Sequence, residues 1–113
     1  MTTKDIAMKV MMAWEEKDEA TLQRYLHPDY VSKDPLMTII GVDKAIEKMH
    51  SFPFKGGLDI THLFSEGDLV AMEGIWKITS PVTEEVPITS IMKFEKGVLR
   101  EKSIYFDTAK ISG

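Results

Sequence analysis

Three side chains stand where proton-transfer chemistry could be done. Asp34 directly precedes Pro35 in "YVSKDPLM" (Tyr30–Met37), a run whose neighbours otherwise have the character of a buried strand. Proline disfavours helix at the preceding residue and aspartate bonds nearby amides, so the pair reads either as a plain turn or as a carboxylate at the mouth of an apolar pocket. In the second setting, a carboxylate whose proton affinity is raised by burial can move a proton between neighbouring carbons. Asp107 ends "SIYFD", in which Ser103, Tyr105 and Asp107 share strand parity, so a phenol and a carboxylate could open into one space. The alternative is a carboxylate that caps the sheet and binds backbone amides. His62, between Ile60 and Phe64, falls on the apolar parity of its segment and reads as a proton-shuttling pocket imidazole or as a satisfied core residue.

Other chemistries find little in the chain. Its 113 residues include no cysteine, which removes thiol nucleophiles, disulfides and thiolate-bound zinc. His27, His50 and His62 lack the short spacing of a metal-binding helix, and neither a metal nor another cofactor is expected. Ser90 and Ser103 have no glycine-framed nucleophile elbow, and no phosphate-cradling glycine loop occurs. A net charge of -4 without a basic stripe argues against nucleic acid. The N-terminal stretch "MTTKDIAMKVMMAWEEKDEA" is broken by Lys9 and closed by Glu15 and Glu16, with no membrane-length span and no small-residue cleavage site. No membrane partner is expected, and the cytoplasm is the expected location.

These side chains need a scaffold that brings distant segments together. Ile6, Val10, Ala13 and Trp14 recur at helical spacing between Asp5 and Lys17, and Ala7, Met8, Met11 and Met12 widen the stripe until it must pack on more than one side. Asp18 suits the N-cap of a second helix that ends before His27-Pro28. Tyr30–Asp34 and Leu36–Ile40 read as short strands, and Ala45, Ile46 and Met49 mark a third helix from Val42 to near Ser51. After the loop Phe52–Gly57, whose aromatics should fold back on the core, periodicity turns to alternation. Leu58–Phe64, Leu69–Thr79, Ile88–Glu95 and Val98–Phe106 read as four strands of an antiparallel meander.

Helices first and a long sheet second describe one α+β domain over residues 1–113, with a cavity left between a curved sheet and its helices. Along Leu69–Thr79, parity separates Val70, Met72, Gly74, Trp76 and Ile78 from Leu69, Ala71, Glu73, Ile75 and Lys77. The second, half-apolar set should be partly covered by a subunit partner. Trp14, Tyr30, Phe52, Phe54, Met72, Trp76 and Met92 are each core or cavity wall, and together they imply a greasy small-molecule pocket with few polar anchors.

Four pieces, "AWEEKDEATLQRYLHPDYV", "GVDKAIEKM", "EGDLVAMEG" and "MKFEKGVLREKSIYFD", resemble in their order and spacing the SnoaL-like branch of the nuclear transport factor 2 superfamily. The resemblance implies a cone-shaped, cystatin-like barrel: three N-terminal helices on a strongly curved, mainly antiparallel mixed sheet, a pocket inside the cone, and a homodimer through the outer sheet face. That superfamily holds ketosteroid isomerases, polyketide cyclases, dehydratases, epoxide hydrolases and non-catalytic binding domains, so the fold leaves function open.

"LHPDYVSKDP" resembles the ketosteroid isomerase stretch ending in its catalytic Asp-Pro, which implies a general-base role for Asp34. Asp107 corresponds to the terminal acid/base aspartate of SnoaL-type cyclases, with Tyr105 in place of their polar residue two positions earlier. The tyrosine and protonated aspartate that isomerases aim at the enolate oxygen correspond to Val10 and Ser90, so steroid isomerisation proper is not expected. The hydrolases' Asp-Arg-Asp set is poorly matched, since Arg100 has the wrong parity to join Asp107. Two readings follow. One is a cofactor-free isomerase, cyclase or dehydratase that moves protons on a small apolar carbonyl compound, with Asp34 as base, Asp107 as second acid, and Tyr30, His62 or Ser90 as hydrogen-bonding groups. The other is a non-catalytic small-molecule-binding or dimerisation domain.

Overall fold

The polar residues at the start of the chain set its first element. In the computed structural model, which describes residues 1–112, the Thr2 side chain accepts from the Asp5 amide while the Asp5 carboxylate accepts from the Thr2 amide. This reciprocal box starts α1 (Thr3–Glu16), and Lys17 ends it in the left-handed conformation at φ 58°. Asp18 then caps α2 (Glu19–Tyr25) by accepting from the Thr21 amide at 3.2 Å. The remaining elements are β1 (Leu26–Lys33), β2 (Thr38–Ile40), α3 (Val42–Ser51), β3 (Lys55–Glu66), β4 (Leu69–Ser80), β5 (Glu84–Glu95), β6 (Val98–Phe106) and the short α4 (Ala109–Ser112).

Several boundaries differ from the sequence reading, each for a local reason. β1 takes in His27 and Pro28, because its pairing with β6 breaks between Leu26 and Val31 and leaves proline free of the ladder. β2 is shorter than expected, since the amides of Leu36 and Met37 are bonded to the Asp34 carboxylate. β5 starts four residues before Ile88 despite Pro87. Its other neighbour ends at Phe106 opposite Ile88, so Glu84–Pro87 has a ladder on the β4 side alone.

One six-stranded sheet results, in the order β2-β1-β6-β5-β4-β3, with β1 and β6 parallel and every other pair antiparallel. The three long helices cover its concave side. α1 buries Ile6, Val10 and Met11, and α3 buries Ala45 and Met49, in one cluster with Val70, Met92, Phe94 and Leu99 from the sheet. Each such large side chain contributes roughly 1.5–3 kcal/mol on burial. Among the described residues no helix is long and apolar enough to cross a membrane.

The bend of the sheet has a chemical origin. Gly74 lies on the concave face between Met72 and Trp76, and a Cβ there would stand 2.6 Å from the Asp59 carbonyl oxygen and 3.2 Å from the Ile60 Cα. β3 carries an extra residue at this level, its register shifting between Ile60 and His62. A bulge against a residue with no side chain lets β3 fold sharply over β4. Both obstructing atoms are backbone, so Gly74→Ala should lower the unfolding free energy by about 1–3 kcal/mol in urea titrations.

Candidate functional site

A cavity of about 580 Å³ opens between the wide end of the sheet and the helices. Its mouth is aromatic. Trp76 on β4 meets Phe52, Phe54 and Phe106 with ring centroids 5.8, 5.5 and 5.7 Å away, and Trp14 of α1 stacks on Phe52 at 6.1 Å. The loop before β3 therefore folds back on the core, as its two phenylalanines suggest. Such rings supply a large apolar contact area with few degrees of freedom.

The polar groups sit on three adjacent strands. Ser32 of β1 is in register with Lys102 of β6, while Ser90 of β5 is in register with Ile104, the next inward residue of β6. All three polar side chains line the cavity and are almost fully buried, at 4%, 5% and 1% exposure. The Ser90 hydroxyl has no hydrogen-bond partner among the described residues. Burial pulls Lys102 down to about 8, with the charge of Asp34 opposing the shift. Tyr30, behind Ser32, is pushed up to about 12 by burial, partly offset by a hydrogen bond with Ser32 and reinforced by Asp34.

Asp34 combines its two readings. Its Oδ1 accepts from the amides of Leu36 and Met37 at 2.7 and 2.9 Å, and its own amide donates to the Met37 carbonyl, so it builds the turn between β1 and β2. The residue is half-buried and lines the cavity, with Oδ2 receiving no protein hydrogen bond among the described residues. Glu15 reaches the same cavity from α1, and its Oε1 accepts from the Leu58 amide at 2.7 Å.

Trp14, Phe52, Phe54, Met72, Trp76 and Ser90 join Asp34 in the cavity wall. Five other expected site residues lie elsewhere. His62 is exposed, 3.0 Å from Glu73 and stacked on Phe64, because the bulge in β3 reverses the alternation after Ile60 and turns Leu63 inward instead. Tyr105 is 58% exposed, and Asp107, also exposed, accepts from the Ala109 amide at 2.9 Å just before α4. Tyr30 and Met92 face inward but are packed in the solid core rather than on the cavity wall.

Lys102, Ser32 and Phe106 were not singled out from sequence. For Lys102 and Phe106 the reason is one register shift on β6. Leu99 pairs with Phe94 and Glu101 with Lys93, so Arg100 is an extra residue that flips parity along β6. Lys102, Ile104 and Phe106 then face the cavity, and Ser103, Tyr105 and Asp107 do not. The run Arg100-Glu101-Lys102 signals that one charge turns inward, since successive side chains on a strand take opposite faces, but alternation from Leu99 would choose Glu101, and only the bulge makes it Lys102.

A family model for the SnoaL-like domain matches residues 8–102, and the chain belongs to that family. No curated protein matches it in sequence. Similar folds are found in a nuclear transport factor 2-like protein of unknown function from Cytophaga hutchinsonii (18% identity, 100% of this chain and 96% of that one, TM-score 0.86). They also occur in a candidate SnoaL-like polyketide cyclase from Shewanella denitrificans (23%, 97% and 93%, TM-score 0.86). A third is an LEH-like epoxide hydrolase from M. tuberculosis (15%, 97% and 86%, TM-score 0.84). The architecture is accordingly the nuclear transport factor 2-like α+β fold.

A buried ammonium disfavours the native state. An unfolded lysine titrates near 10.5 and Lys102 near 8, so the native protein loses stability as pH falls through that window and pays the full penalty below it. Lys102→Met should raise stability by about 1–4 kcal/mol at neutral pH. The difference from wild type should shrink as pH rises from about 8 toward 10.5 in paired thermal melts. Tyr30 acts in the opposite sense in both proteins, withdrawing stability as pH climbs from about 10 to about 12.

Proposed function

We propose that the cavity binds a small, mostly apolar carbonyl compound and that Asp34 moves a proton at the carbon beside the carbonyl. The observation that carries this reading is the state of Asp34: a half-buried cavity carboxylate with one oxygen held by two amides and the other without a protein donor. Two amides fix the plane of the carboxylate, which is the orientation that proton transfer requires. In the step, Oδ2 takes the proton, the C–H electron pair moves into the C–C bond, and the carbonyl oxygen gains the negative charge. The Ser90 hydroxyl is a donor available to that oxygen. Return of the proton to the same carbon gives exchange, and return elsewhere gives isomerisation.

A non-catalytic pocket is the second reading. It is favoured by the same two amide bonds, which give Asp34 a structural task of its own. Epoxide opening by an Asp-Arg-Asp set has less support: Arg100 donates to the Asp29 carbonyl and sits 3.6 Å from Glu95, away from the cavity.

We also infer a homodimer through the outer sheet face. Phe64 and Tyr105 are 63% and 58% exposed there, and Ala71 lies in register with both Phe64 and Ile91. Sedimentation equilibrium should return a dimer that Ile91→Lys converts to monomer.

Asp34→Asn separates the two functional readings, because asparagine Oδ1 can accept from the same amides and keep the turn. Flat apolar ketones should raise the melting temperature of both proteins by mass action. Deuterium exchange beside the ketone carbonyl should fall by about 10²–10⁴-fold in the variant. Binding without any exchange in the wild type would establish the non-catalytic pocket.

A further inference from the structure

The cavity holds a cation that the protein leaves without a counterion. Lys102 is 5% exposed and forms no salt bridge and no side-chain hydrogen bond among the described residues. An ammonium in apolar surroundings is strongly disfavoured unless something pairs with it. Asp34 is the nearest candidate by its influence on Lys102, yet it lies beyond ion-pair distance and has one oxygen committed to the β1–β2 turn.

A second, independent feature points to the same place. The Ser90 hydroxyl, 1% exposed on the cavity wall, also lacks a partner. Ser90 stands two residues along β5 from Met92, the register partner of Lys102, so the two side chains are diagonal neighbours on one face. Diagonal Cα separations of this kind are roughly 7–8 Å, within reach of a lysine side chain. Ser32 flanks Lys102 on the other side, directly in register on β1. Ser32 is already bonded to Tyr30, so the unpartnered donors at this patch of an otherwise greasy wall are Lys102 on β6 and Ser90 on the adjacent β5.

The charge around the cavity agrees. Lys17, Lys48, Lys55 and Lys102 outnumber Glu15 and Asp34 among its lining residues, a local charge of +2 in a chain whose net charge is -4. Clefts lined by one sign of charge concentrate ligands of the other. Asp34, in the turn just past the end of β1, acts on Lys102 through its charge but forms no ion pair with it.

We propose that the ligand is an anion: an otherwise apolar small molecule whose carboxylate or stabilised enolate is held by Lys102 with the hydroxyl of Ser90. Its hydrocarbon part lies among Trp14, Phe52 and Trp76. This rests on the cavity being a ligand site, and deepens that reading by naming the chemical class. An oxyanion supplies the partner that Lys102 and the Ser90 hydroxyl lack, and charge-assisted hydrogen bonds in a desolvated pocket are about twice as strong as neutral ones. Lys102 is mainly cationic below about 8, so the anchor weakens as pH rises through that value. The charged or titratable groups around it are Tyr30 on β1 and Asp34 in the turn after it, with Glu15, Lys17, Lys48, His50 and Lys55 at the mouth.

The test compares cyclohexylacetate, its methyl ester, cyclohexylethylamine and dimedone, read by calorimetry and by the fluorescence of Trp14 and Trp76 at about pH 6.5, where carboxylates are ionised. Cyclohexylacetate or dimedone should bind at least about tenfold tighter than the ester, and the amine weakest. The tighter of the two anions identifies carboxylate or enolate as the source. Lys102→Met should abolish the preference while retaining ester binding, and Ser90→Ala should weaken the anion by about tenfold. Equal affinity for acid and ester overturns the anion proposal and leaves the pocket reading standing. Failure of every probe to bind overturns both, whereas loss of exchange in Asp34→Asn bears on the proton-transfer reading alone.

Discussion

Leu99 and Lys102 both face the interior, although residues three positions apart on an unbroken strand face opposite sides. The extra residue between them, Arg100, makes both placements possible. It is braced from outside the cone, where its guanidinium donates to the Asp29 carbonyl and approaches Glu95. The narrow end of the cone keeps Leu99 in its apolar core, and the wide end receives Lys102, Ile104 and Phe106. Without that bulge the strand would present Glu101, Ser103 and Tyr105 to the cavity, with different chemistry.

A second bulge works in parallel on β3. Beside Gly74 it folds the outer strand over β4 and returns Leu63 to the core after Leu58 and Ile60. The interior has a packed end and an open end. At the packed end, methionine and aliphatic side chains from α1, α3 and the sheet leave little room. At the open end, rings that touch at centroid distances of 5.5 to 6.1 Å line a void. Volume there is left unfilled at some loss of dispersion energy, as a ligand pocket requires.

The open end also contains groups that a sequence selected for stability alone would avoid. A buried lysine without a salt bridge and a buried serine hydroxyl without a partner both disfavour the folded state. Such violations of local consistency concentrate at functional sites. Asp34 differs from them, for its two amide bonds satisfy a carboxylate and close the β1–β2 turn at the same time. Within a SnoaL-like family whose fold accommodates many activities, these few polar groups, rather than the barrel, distinguish one cavity from another.

Local chemistry made much of this protein legible in the sequence. The Asp18 cap, the helical stripe through Val10 and Met11, the alternation around Met72 and Trp76, and the Asp-Pro turn each depend on neighbours a few residues away. Order and spacing of those pieces were enough for the family and the α+β architecture. What only the tertiary structure decided was which face of β3 and β6 looks inward. Strand parity has a period of two, so one inserted residue inverts everything after it. The insertion is defined by pairing with a strand distant in sequence: Thr61 is extra only against β4, and Arg100 only against β5. For that reason local alternation assigns His62, Tyr105 and Asp107 to a cavity they do not enter, and it does not say which of the charges Arg100, Glu101 and Lys102 turns inward.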